Sequence, residues 1–404
     1  MTMTRPDLFI VGAKRTAMAE YLGTPGYGLF KDQSATDLGG HAIKAALADA
    51  GVQPGQVDHV VMGNAMQTSV DAHYGARHAA LKAGIPVEAP ALTVNRICGS
   101  GIQSVINAAH MLLNDEAGVT VAGGMENMSQ APFCVYGQEV RAGIRFGVQP
   151  KMTDFLFQGL HDTFCNTFMA QTAEKAAAEY GVTRQESDEY AFRSHQLGAK
   201  AVAAGRFDRE IAPVKIKQGR TEVEVKRDDH IKPETTYEAL AKLRPAFGEN
   251  GLVTAGNASG IVDGAAALVV TTGAKAAALG LKARARIVAW HVAGVRPEVM
   301  AIGPVPAIEG LMKKTGLTVD QIDLFEINEA FAPQVVACEK ALKLDRNRLN
   351  VNGGAVAIGH PLGASGTRLL LTLCHELELR GLRRGVASAC IGGGQGIAML
   401  IERV

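Results

Sequence analysis

Gly51-Val52 followed by Gln56-Val57-Asp58 recurs in this chain as Gly316-Leu317 followed by Gln321-Ile322-Asp323, 265 positions later. Gly99-Ser100-Gly101 recurs as Ala364-Ser365-Gly366 at the same offset. Chance does not hold one offset across segments this far apart, so the chain has to fold as two copies of one unit. Each copy begins with a helical stretch ended by a glycine (His41 to Ala50; Ala307 to Thr315), the usual C-terminal cap. A strand follows (Val57 to Met62; Ile322 to Ile327), then a glycine-rich turn, an apolar helix (Ile102 to Leu113; Thr367 to Leu379) and a buried strand (Val119 to Ala122; Gly385 to Ala389). The fold class expected is α/β: two duplicated halves, each a mixed sheet sandwiched by helices.

Between the copies lies a stretch of different character, expected to be an inserted domain over 130–260. It contains an expected helix from Met169 to Ala204 and a polar segment, Lys215 to Lys232, with alternating Thr221-Glu222-Val223-Glu224-Val225. Residues 1–129 then form the N-terminal half, completed by 261–282, whose Gly264 to Thr271 reads as a buried strand. Residues 283–404 form the C-terminal half, opening on the strand Arg286 to Trp290. With 404 residues, two or three domains are expected. A hydrophobic fraction of 47% excludes a disordered chain. Lys plus Arg number 41 against 40 Asp plus Glu, so no bulk field grips nucleic acid or an anionic membrane. The insertion's cations, among them Arg206, Lys215 and Lys226, are interleaved with acids and read as a solvated face, of which a subset meets phosphate in the sharper reading.

Four positions carry candidate chemistry. Cys98, in Asn95-Arg96-Ile97-Cys98-Gly99-Ser100-Gly101, stands where an extended segment enters a helix. Unsatisfied N–H groups and the helix dipole there favour thiolate and are expected to lower its pKa; a buried structural cysteine is the bland alternative. Cys390 precedes Ile391-Gly392-Gly393-Gly394-Gln395-Gly396, a loop that exposes N–H donors suited to an oxyanion or simply makes a tight turn. His360, between Gly359 and Pro361, falls just before the second copy's turn, so the repeat sets it near Cys98 across a pseudo-twofold axis. Asn328, in Asn328-Glu329-Ala330-Phe331 at a strand tip, would hold a water, donate to an oxyanion, or cap a helix. No metal site is expected: His161 with Cys165, and Cys374 with His375, lack further ligands. Six scattered cysteines give no disulfide framework.

Cys98-Gly-Ser-Gly, Gly256-Asn-Ala-Ser-Gly260, Asn328-Glu-Ala-Phe331, Gly359-His-Pro-Leu-Gly-Ala-Ser-Gly366 and Cys390-Ile-Gly-Gly-Gly-Gln-Gly396 together resemble the thiolase family, in its order and over essentially the whole chain. The resemblance implies two duplicated α/β halves with a loop domain that binds coenzyme A. It implies Cys98 as the nucleophile that carries the acyl group, His360 as its base, and Cys390 as a second acid/base acting at C2 of acetyl-CoA and on the incoming thiol. One oxyanion hole is implied at His360 and an Asn328-held water, the other at the backbone N–H groups of Cys98 and Gly392. A thioester tetrahedral oxyanion and an enolate arise at different places, so two donor sets are required. Ser259, Ala255, Phe247, Leu160, Met169 and Phe331 match positions lining the pantetheine and acyl channel.

The implied reaction is reversible cleavage of a 3-ketoacyl-CoA by CoA to acetyl-CoA and a shortened acyl-CoA. Ser129-Gln130-Ala131-Pro132 and Met169-Ala170 lean toward a broad-range degradative enzyme. A biosynthetic acetoacetyl-CoA thiolase is the alternative, and an inert lipid or CoA carrier a more distant one. Coenzyme A is expected as substrate with no permanently bound cofactor, and a homodimer or homotetramer as the assembly. The short apolar run Leu8 to Val11 reads as a first strand and no apolar stretch reaches the roughly 20 residues of a membrane span, which leads to the expectation of a cytoplasmic protein.

Overall fold

A computed structural model describes residues 6–404; Met1–Arg5, at the head of the expected N-terminal half, lie outside the described residues. Its strands are β1 (Leu8–Arg15), β2 (His59–Gly63), β3 (Ala91–Val94), β4 (Val119–Glu126), β5 (Val214–Gln218), β6 (Thr221–Val225), β7 (Val262–Thr272), β8 (Ala285–Gly294), β9 (Leu324–Ile327), β10 (Arg384–Ile391) and β11 (Gln395–Arg403). The helices that matter here are α1 (Ala35–Ala50), α2 (Ser100–Leu113), α3 (Met169–Glu179), α4 (Arg184–Ala203), α5 (Pro304–Thr315), α6 (Ala332–Leu342) and α7 (Leu362–Arg380).

The main sheet runs β9-β10-β11-β8-β1-β7-β4-β2-β3. Its order mirrors itself about the seam where β1 pairs with β8 through Leu8 and Ile287, Phe9 and Arg286, and Ile10 and Ala285. The halves share a parallel pair, β2 with β4 and β9 with β10, followed by an antiparallel one, β4 with β7 and β10 with β11; the first half adds a second parallel pair, β2 with β3. The two mixed sheets therefore join edge to edge.

The repeat extends to single hydrogen bonds. Asp58 Oδ2 accepts from the N–H groups of Gly118 (2.8 Å) and Val119 (2.9 Å). Its counterpart Asp323 Oδ2 accepts from Arg383 (2.9 Å) and Arg384 (2.7 Å), each 265 positions on. Gly51 and Gly316 close α1 and α5 with φ of 71° and 70°, a left-handed conformation that a side chain would strain.

Burial follows the pattern of each element. Ile102, Val105 and Ile106 of α2 and Leu369, Leu370 and Leu373 of α7 share one core with inward residues of β1, β7 and β11. That layer belongs to both halves. α1 covers the outer face of the first half, through Leu38, Ile43 and Leu47, and α5 that of the second, through Ile308 and Leu311.

The segment 130–260 packs in two directions. Ala173, Ala176 and Ala177 of α3 and Tyr190 of α4 join the second half's core. The β5–β6 hairpin lays Val214, Ile216 and Val225 on the first. Arg15, fully buried in β1, is paired with Glu210 (2.9 Å) and Asp228 (2.7 Å), which fasten the hairpin's flanks. Two expectations need correction here. Met169 to Ala204 is two helices, because Gly181 takes φ +60° and Thr183 caps a new helix reciprocally with Glu186. Arg206 is not on a solvated face but buried between Glu210 and Glu376, whereas Lys215 and Lys226 are exposed as expected.

Candidate active site

Cys98 sits in a single 3-10 turn, Ile97–Gly99, that feeds α2. The turn is strained: Ile97, a β-branched residue, takes φ +45°. It is held by Ser100, whose Oγ accepts from Arg96 N–H (2.8 Å) and donates to the Ile97 carbonyl (2.7 Å). Met66, Met128, Leu156 and Leu362, from four separate segments, wrap the thiol. Burial pushes it up to about 12, opposed by hydrogen bonds from the N–H groups of Gly392 and of Cys98 itself. This corrects the expected lowering: desolvation outweighs the helix end, so the resting group is a thiol.

His360 follows Gly359, whose φ of +101° and contact with Val262 leave no room for a side chain. The His360 backbone N–H donates to the Gly260 carbonyl (2.9 Å). Its Nδ1 lies 2.5 Å from Ser365 Oγ and its Nε2 3.2 Å from Asn328 Nδ2. Burial, followed by the charge of Arg368, pushes the imidazole down to about 3, so it is neutral around pH 7. A buried neutral imidazole can accept a proton at its unprotonated nitrogen.

Asn328 directly follows β9, with its N–H donated to the Ser388 carbonyl (2.9 Å). It caps no helix, since α6 starts at Ala332 after Phe331. Its buried Oδ1 has no partner in the protein. Neighbouring Glu329 fixes the turn by accepting from Tyr190, Ser194 and Asn350 side chains and from Val356 N–H. Cys390 is fully buried near the end of β10, opposite Gly396 of β11, with the turn Gly392–Gly394 just beyond. Burial raises it well above the ordinary thiol range, and Cys98 and Cys338 add to the rise.

A cavity of about 520 Å³ joins these groups. Cys98, His360 and Gly392 line it, as do all six expected channel residues, Ser259, Ala255, Phe247, Leu160, Met169 and Phe331. Asn328 and Cys390 are not among its lining residues. Phe168 stands with its ring 4.8 Å from those of Phe157 and His161 and 5.2 Å from that of Phe247, an aromatic flank absent from the sequence reading.

Sequence reasoning also passed over Glu126. This buried residue ends β4, and Oε1 accepts from Asn64 Nδ2 (2.8 Å) and Met66 N–H (3.0 Å). Oε2 accepts from Ala65 N–H (3.0 Å) and, across the seam, Gly363 N–H (2.9 Å). It pins the His360 turn to the half that carries Cys98. The signal was its place in Gly124-Met125-Glu126-Asn127, an acid ending an otherwise apolar strand. Among the described residues no group of three or more His, Cys, Asp or Glu is placed to hold a metal, and no helix is long and apolar enough to cross a membrane.

The arrangement brings a protonated thiol, a neutral imidazole and the Gly392 backbone to one apolar space, with a second buried thiol outside its lining. That set suits acyl transfer coupled to proton transfer at carbon.

Residues 8–274 match the family described as thiolase, N-terminal domain, and residues 281–403 that described as thiolase, C-terminal domain. The mitochondrial 3-ketoacyl-CoA thiolase of Homo sapiens is 48% identical over 395 residues, 98% of each chain. An acetyl-CoA acetyltransferase of Rhizobium meliloti is 44% identical over 402 residues, covering 100% of each. The crystal structure of the human mitochondrial enzyme superimposes with a TM-score of 0.95 over 99% of both chains. Its complex with CoA does so at 0.94, over 99% of this chain and 98% of that one. The expectation of a cytoplasmic protein is overturned here, because the relatives at 48% identity are mitochondrial proteins.

Proposed function

The chain belongs to the thiolase family, and from that premise we propose that Cys98, His360, Cys390, Asn328 and Gly392 carry out thiolysis of 3-ketoacyl-CoA in the cavity they surround. The activity is that of an acyltransferase with CoA as its substrate. The observation that carries the assignment of roles is the convergence of a protonated thiol, a neutral imidazole and the Gly392 N–H on one apolar cavity, with a second buried thiol behind them.

The steps balance with these groups alone. The Cys98 proton passes to His360 Nε2 as sulfur attacks the C3 ketone, leaving a tetrahedral alkoxide. The protonated imidazole and the water at Asn328 serve one of the two developing oxygen charges, and the N–H groups of Cys98 and Gly392 the other. As the C2–C3 bond breaks, C2 takes a proton from Cys390, and acetyl-CoA leaves. The Cys390 thiolate then takes the proton of incoming CoA, whose sulfur attacks the acyl-Cys98 thioester. Collapse expels the Cys98 sulfur, which recovers its proton from His360. No permanently bound cofactor enters.

A degradative enzyme of broad chain length is the reading favoured by the relatives at 48% identity. The acetyl-CoA acetyltransferases at 44–45% support a second one, condensation of two acetyl-CoA, which is the same sequence of steps reversed. Ser259, Ala255, Phe247, Leu160, Met169 and Phe331 line the channel for pantetheine and acyl chain. The reading includes a three-part division, 1–129 completed by 261–282, the insertion 130–260 and 283–404, and a homodimer or homotetramer. Thiolysis rates across 3-ketoacyl-CoA chain lengths, with acetyl-CoA condensation measured beside them, test it. Cleavage of medium and long chains supports the degradative reading, cleavage of acetoacetyl-CoA alone supports the second, and no thiolysis at any length contradicts both.

A further inference from the structure

We propose that Ser365 is a positioning residue that fixes His360 in the tautomer protonated at Nδ1, leaving the Nε2 lone pair free for the Cys98 proton; the inference rests on the thiolysis reading and deepens it.

Ser365 Oγ donates its one hydroxyl hydrogen to the Pro361 carbonyl (3.0 Å). Toward His360 Nδ1, at 2.5 Å, the same oxygen then has only lone pairs to offer, and Nδ1 must carry the proton. Nε2 is left unprotonated, and the Asn328 amide nitrogen that faces it at 3.2 Å gives way when the Cys98 proton arrives. All three side chains are buried. With the opposite tautomer, Ser365 would have to withdraw its hydrogen from the Pro361 carbonyl to donate it to Nδ1, and Asn328 would have to turn its unpartnered amide oxygen toward Nε2–H.

The repeat supports this independently. Ser365 is the counterpart of Ser100 at the 265-residue offset. Ser100 Oγ also donates to a carbonyl one turn back, that of Ile97 (2.7 Å), and accepts an N–H, that of Arg96 (2.8 Å). Both serines stand at the start of the facing helices α2 and α7, and each spends its hydrogen backwards and its lone pair on the turn that bears a reacting group. In the first copy the recipient is backbone; in the second it is the imidazole. One inherited helix-start serine thus sets the Cys98 turn in one half and the His360 proton in the other.

Nitrogen-15 NMR of histidine-labelled protein, with the His360 signals identified by their loss in His360→Asn, reads the tautomer without turnover. The expected wild-type spectrum shows His360 protonated at Nδ1 and bare at Nε2. Ser365→Ala is expected to shift that population toward Nε2–H and to lower kcat by about 100-fold with KM changed less than about threefold. Ser365→Thr, which keeps the hydroxyl, is expected to restore the wild-type tautomer and most of kcat. A wild-type His360 protonated at Nε2 overturns the proposal even if the alanine variant does not fold. So does an alanine variant that keeps both tautomer and kcat. Failure of thiolysis with the expected tautomer in place would count against the proposed function, not against this inference.

Discussion

Gly101 and Gly366, 265 positions apart, meet backbone to backbone where α2 and α7 cross: a Cβ on Gly101 would press on Thr367 N and one on Gly366 on Ile102 N. These two glycines set how closely the helices that start at Cys98 and His360 approach. Gly101→Ala is therefore expected to force them apart, costing about 1–3 kcal/mol of stability and lowering kcat at least tenfold. Denaturation midpoints and steady-state kinetics of the purified variant check it; an unchanged midpoint would show that the seam yields.

Glu126 accepts four N–H donors, one from each of Asn64, Ala65, Met66 and Gly363. Glu126→Gln sets an amide NH2 against two of those donors in a buried site. The expected loss is about 2–3 kcal/mol, together with a fall in kcat, because Gly363 stands three residues after His360. A variant with wild-type kcat would mean that the His360 turn is held without this brace.

How far the sequence led differs from residue to residue. The 265 offset foretold two copies of one α/β unit, and the paired Asp58 and Asp323 clamps follow from it, since a repeated side chain in a repeated turn makes the same bond. The break at Gly181 has a sequence signal in the Thr183 and Glu186 capping pattern, which the expectation of one helix from Met169 to Ala204 passed over. The protonation of Cys98 was not legible. It depends on Met66, Met128, Leu156 and Leu362, which come together only in three dimensions, and their desolvation reverses the sign expected from the helix end. What Glu126 holds was hidden for the same reason: its partners are N–H groups of other segments, which no motif encodes.

With Cys98 pushed up to about 12 and His360 down to about 3, the free enzyme holds a thiol and a neutral imidazole near pH 7. The thiolate fraction grows only as pH rises toward the thiol's own pKa. Alkylation of Cys98 by iodoacetamide in the absence of substrate is expected to keep climbing beyond about pH 9. A plateau reached near neutrality would reveal a preformed thiolate–imidazolium pair instead. His360 contributes no acid limb above about pH 4 in the free enzyme.

Cys390 lies outside the cavity lining, on a strand end behind Cys98. Cys390→Ala is expected to accept an acyl group on Cys98 from acyl-CoA as the wild type does. Exchange of deuterium into C2 of acetyl-CoA should fall by about 100- to 10,000-fold. Normal exchange in that variant would assign the C2 proton to another group.

The most direct test is the identity of the residue that carries the acyl group. A 3-ketoacyl-CoA is mixed with enzyme in the absence of free CoA, quenched in acid and analysed by peptide mass spectrometry. The predicted result is a thioester of the shortened acyl chain on Cys98, absent in Cys98→Ser and discharged when CoA is added before the quench. An adduct on Cys390, or CoA-dependent cleavage that persists in Cys98→Ser, would contradict the account.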